Sequence, residues 1–109
     1  MGYTTEFKGQ FELSKEASND IVLELEKWWD NEGDNQPIRG YCQWVLNEQA
    51  TVLSWDGNEK FYDYVEWLKA IISLFEKEDI VLNGEVFYSG EIRDDVGSIK
   101  VDNNKVEVK

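Results

Sequence analysis

Residues Ser54 to Phe75 read SWDGNEKFYDYVEWLKAIISLF, and this stretch decides the fold. Phe61, Tyr64, Val65, Leu68, Ile71, Ile72 and Phe75 recur at the three-and-four spacing of one buried helical stripe. Asp56 followed three residues later by Glu59 is a capping-box-like start, and Asn58 is a competing cap. Lys77, Glu78 and Asp79 close the helix in water. Tyr62 and Trp67 fall off the main stripe, so a second surface of this helix is expected to be buried or offered to a partner.

Upstream, Thr51 to Trp55 and Tyr41 to Leu46 are strand-like, with Asn47 to Ala50 as the turn between them. Ser18 or Asn19 can cap an earlier helix of about 12 residues, with Asp20 at its positive end. On that helix Ile21, Val22, Leu25, Trp28 and Trp29 recur at helical spacing. Residues 3–13 alternate with period two. Tyr3, Thr5, Phe7, Phe11 and Leu13 share one face and Glu6, Lys8, Gln10 and Glu12 the other, which is a half-buried strand. Gly9 interrupts the apolar face and marks a bulge or a close backbone approach.

Downstream, Ile80 to Glu91 reads as one long strand. A turn at Asn83-Gly84 is the alternative, but it would leave a first arm of three residues. Ser98 to Val101 and Lys105 to Val108 are two short strands joined at Asp102-Asn103-Asn104, and their alternating charges suit an exposed edge and are expected to discourage sheet-to-sheet association. The order is β-α-β-β-α-β plus a C-terminal β-hairpin. The expected class is α+β: a ferredoxin-like antiparallel sheet with both helices on one face, in one domain over 1–109.

Composition narrows the function. The 109 residues hold 23 acids, 11 bases and no histidine, a net charge of −12. Phosphate-neutralising clusters of Lys and Arg are missing, so direct nucleic-acid binding is not expected. Without histidine, ordinary serine-type triads and zinc hydrolase sites are excluded. Cys42 is the only cysteine, so no intramolecular disulfide or cysteine metal cluster forms, in keeping with a reducing cytoplasm. The apolar runs are too short to span a bilayer, and no secretory leader opens the chain. No cofactor or metal is called for.

Three segments carry a resemblance: GYTTEFKGQF (Gly2–Phe11), YCQWV (Tyr41–Val45) with SWDGNEKFYDYVEWLKAII (Ser54–Ile72), and VLNGEVFYSGE (Val81–Glu91). With DDVGSIKV they resemble a family of small proteins of bacteriophages, prophages and bacterial genomes that has no assigned activity. The chain departs from that pattern between Leu13 and Tyr41, where it is shorter, and at Tyr88, where a tryptophan is expected. The resemblance implies a genomic setting in which small proteins often inhibit or modulate host machinery. It carries no site residue.

Candidate sites are of four kinds. Trp44, Trp55, Tyr62 and Trp67 would line an aromatic groove for a nucleotide-type ligand, or simply pack the core. Three carboxylate clusters, Asp30, Glu32 and Asp34, then Glu76, Glu78 and Asp79, then Glu91, Asp94 and Asp95, would imitate a phosphate path toward a basic partner, or form a solvated surface. The run Asp30 to Asn35 offers oxygens to a hard cation, but not at EF-hand spacing. A catalytic carboxylate pair, Asp56 with Glu59 or Asp94 with Asp95, is fixed by nothing in the sequence. The leading expectation is a non-enzymatic, cytoplasmic inhibitor-type protein docking on a basic, nucleic-acid-binding surface of a host protein, with Tyr62 or Trp67 as anchor. A small-ligand binder and a structural or oligomerisation module are the alternatives.

Overall fold

The computed structural model describes residues 5–30, 42–57, 63–91 and 95–109. Eight elements follow one another: β1 (Glu6–Leu13), α1 (Asn19–Asp30), β2 (Trp44–Leu46), β3 (Val52–Trp55), α2 (Tyr64–Glu76), β4 (Leu82–Ser89), β5 (Val96–Asp102) and β6 (Lys105–Val108). The fold is α+β, two helices with one six-stranded antiparallel sheet in the order β2-β3-β1-β4-β5-β6.

The alternation of β1 sets the sheet's two faces. Phe7 and Phe11 are buried while Glu6, Lys8, Gln10 and Glu12 are exposed. Register carries the apolar face sideways: Phe11 lies opposite Leu53, Gly9 opposite Val86, and Val86 opposite Ile99. These residues form one core with Ile21, Leu25 and Trp28 of α1 and Trp67, Leu68, Ile71, Ile72 and Phe75 of α2. Of the apolar positions expected to recur on the two helices, Val22, Tyr64 and Val65 are only partly buried, Trp29 is exposed, and Phe61 lies outside the described residues.

β1 and β4 pair along eight residues, and two glycines permit it. A Cβ on Gly9 would stand 2.6 Å from the Glu85 carbonyl oxygen, and one on Gly84 2.6 Å from that of Gln10. Both have positive φ, 109° and 145°, which side chains rarely adopt. Gly9 is therefore a close backbone approach. Asn83-Gly84 is strand, because β4 runs unbroken through it.

α1 starts where expected and α2 does not. α1 begins after Ser18, whose Oγ accepts the Ile21 N–H at 3.4 Å. α2 begins at Tyr64, and its N-cap is Asp63 in a left-handed conformation with no side-chain capping bond. Asp56 does not cap it, because its carboxylate accepts the Trp29 indole N–H at 2.7 Å. The β2–β3 turn falls where expected. Asn47 Oδ1 accepts the N–H groups of both Thr51 and Val52, and Ala50 takes a positive φ.

Candidate functional site

The sheet separates the carboxylate clusters. β4 enters beside Leu13 and leaves beside Glu6. Glu76, Glu78 and Asp79 precede its first residue, while Glu91 and Asp95 follow its last. Eight strand residues span about 23 Å, so these two groups stand at opposite ends of the sheet. Asp30 ends α1. Its side chain, with Glu32, Asp34, Tyr62 and Asp94, lies outside the described residues. The suggested cation-binding run from Asp30 and the pairs Asp56/Glu59 and Asp94/Asp95 also rest on residues not described. Glu76, Asp79 and Glu91 are exposed. Glu78 is half-buried and accepts the Ser18 hydroxyl at 2.7 Å, so it ties two helix ends together.

Trp67 is not an exposed anchor. It is fully buried and its ring packs 5.5 Å from that of Trp28. The stripe of α2 is wider than its strongest aliphatic positions suggest, because α2 packs against α1 as well as the sheet. Position 67 falls on that second contact. The indole Nε1 of Trp67 has no hydrogen-bond partner among the described residues.

The aromatic groove closes in the same way. Trp44 is fully buried. Its ring lies 5.4 Å from Phe7 and 5.5 Å from Phe11, and its Nε1 donates to the Tyr64 carbonyl at 2.8 Å. Trp55 is half-buried, with its Nε1 donating to Gln43 Oε1 at 3.1 Å. The rings form a packed network that includes Tyr64 and Tyr88. Cys42 is buried beside Trp44, and burial pushes its thiol up to about 12.

A concave site lies elsewhere, between α1 and the edge strand β2. A cleft of about 510 Å³ is lined by Val22, Leu25, Trp29 and Leu46, with Trp44 at its base and Glu26 and Glu48 at its margin. Trp29 is 43% exposed and Leu23, on the same helix, 56%. The sequence held one signal of this. Trp28 and Trp29 are adjacent on a helix, so about 100° separates their side chains. Only Trp28 turns into the core.

Among the described residues no group of His, Cys, Asp and Glu is placed to hold a metal ion, and no helix is long and apolar enough to cross a membrane. Comparison of the chain with family models, curated proteins and solved structures finds no match.

Proposed function

We propose that this chain is a non-enzymatic acidic docking protein of phage type, working in the cytoplasm and seated on a basic surface of a host protein. Its core is read as ferredoxin-like, β1 to β4 with both helices, extended by the β5–β6 hairpin. The strand order β2-β3-β1-β4 supports that reading.

One observation carries the functional reading. In a chain of net charge −12, the α1–β2 cleft joins an apolar floor to a carboxylate margin at Glu26 and Glu48. An anchor side chain from a cationic surface is matched by both parts. Apolar burial supplies affinity and the surrounding charge supplies steering and orientation. Trp29 takes the anchoring part that the buried Trp67 cannot play.

The test is capture from a host lysate by the wild-type chain and by the double variant Glu26→Lys/Glu48→Lys. A partner rich in surface Lys and Arg, eluting at moderate salt and lost with the double variant, supports docking. Capture that ignores both salt and the variant counts against it. The cleft also has the size of a small-molecule pocket, which keeps a small-ligand reading in play. A thermal-shift screen against nucleotides separates the two.

A further inference from the structure

On the flank opposite the cleft, the sheet ends at β6. Ser98 and Lys109 exchange both backbone bonds, Ser98 N–H to Lys109 C=O at 3.2 Å and Lys109 N–H to Ser98 C=O at 2.9 Å. Bonding alternates along an antiparallel pair. Lys105, Glu107 and Lys109 therefore spend their backbone groups on β5, and Val106 and Val108 direct theirs outward from the edge. The side chains of these two valines lie on the helix-bearing face, in register with Val101 and Ile99. Val106 is half-buried and Val108 50% exposed.

The opposite face carries an ordered row of charge. Glu85 lies opposite Lys100, and Lys100 opposite Glu107; one row over, Asp102 lies opposite Lys105. We infer that β6 is a self-association edge, and that a second copy of this chain pairs with it antiparallel about a two-fold axis through Val106. This register sets Lys105 of each copy against Glu107 of the other. The row then runs Glu85, Lys100, Glu107, and on through Lys105 and Asp102 of the second copy, alternating in sign without a break. The two Val106 side chains meet at the axis and Val106 exchanges both its backbone bonds with its mate.

An axis through Glu107 brings two carboxylates face to face, which is unfavourable between directly opposed residues. An axis through Val108 sets Glu107 against Lys109 and takes Lys105 out of the contact, so the Lys105→Glu variant distinguishes it. An isologous contact of this kind closes at two copies. The paired segment is short, so the dimer is weak and concentration-dependent. Two bodies of charge −12 also repel, and screening that repulsion strengthens the pairing as salt rises. That is opposite in sign to the salt response of docking on a basic partner, so the two readings stand or fall separately.

The test is a charge-exchange pair, Lys105→Glu and Glu107→Lys, followed by sedimentation equilibrium of the full chain. One variant carries carboxylates at positions 105 and 107 and the other ammonium groups at both, so each opposes itself and complements the other. The expected result is a wild-type mass that rises toward two copies with concentration and is monomeric on dilution. Each variant alone stays monomeric, and the equimolar mixture again reaches two copies. Circular dichroism confirms that each variant is folded; should either be unfolded, Val106→Pro, which removes the outward N–H, takes its place and is expected to abolish the dimer. A wild-type chain that stays monomeric throughout, single variants that dimerise as wild type does, or a mixture that fails to associate overturns the assignment.

Discussion

Ser18 and Glu78, 60 residues apart, are joined by a hydrogen bond of 2.7 Å from the serine hydroxyl to the carboxylate. The same Oγ accepts the Ile21 N–H at the start of α1. An acidic residue after α2 is unfavourable against that helix's own dipole. Glu78 is placed instead at the positive end of α1, where a carboxylate is favourable. The turn that brings it there is closed by the Ile80 N–H on the Phe75 carbonyl and by a positive φ at Asp79.

This junction is testable by substitution. Ser18→Ala removes a helix cap and is expected to cost about 1 kcal/mol. Glu78→Gln keeps an acceptor and loses the charge, costing about 0.5 kcal/mol. Because both residues share one bond, the double variant should lose less than the sum. Urea unfolding of the four chains checks this, and simple additivity would remove the coupling.

Trp44 and Trp67 are both fully buried, but among the described residues only Trp44 has a partner for its indole N–H. Trp44→Phe removes the indole's bond to the Tyr64 carbonyl, whereas Trp67→Phe removes a donor that has no partner among the described residues. An unpaired buried polar group costs about 1–3 kcal/mol. Trp67→Phe is therefore expected to be milder than Trp44→Phe by about 1 kcal/mol in thermal or urea unfolding, while alanine at either site costs about 3–5 kcal/mol. Equal losses for the two phenylalanine variants would contradict the assignment.

The alternating strand of β1, the cap at Ser18, the turn at Asn47 and the long β4 were legible because each depends on neighbours in sequence. The site was not. Trp67 was left open between core and anchor because its burial is decided by Trp28, which lies on another helix and 39 positions earlier. Asp56 looks like a cap in sequence because its partner, the Trp29 indole, is 27 residues away. The cleft depends on β2 being an edge strand, and only the strand order reveals that.

Two cleft positions separate binding from folding. Trp29 is 43% exposed and Leu25 only 4%. Trp29→Ala loses the indole bond to the Asp56 carboxylate and is expected to cost about 1–3 kcal/mol, yet to abolish partner capture. Leu25→Ala should cost about 2–5 kcal/mol. Unfolding curves and capture run on the same preparations distinguish the two effects. A Trp29→Ala chain that captures as well as wild type would take the cleft out of the interface.

Cys42 supplies a pH dependence whose sign can be worked out. Its thiol is buried, contacts the Trp44 carbonyl at 3.6 Å, and is raised from 9.0 to about 12, mainly by burial. Between those two values the unfolded chain releases a proton that the native chain retains. The unfolded state then binds fewer protons, so stability falls as pH rises, by at most about 1.4 kcal/mol per pH unit. Below pH 9 the contribution is fully present. Cys42→Ala should flatten the alkaline limb of a stability–pH profile by that slope, at the cost of a small cavity. The native thiol should also resist alkylation at pH 8 and react once the chain is unfolded in urea, because the thiolate is the nucleophile. Rapid native labelling, or an alkaline limb unchanged in the variant, would show that the thiol is not held in its neutral form by the core.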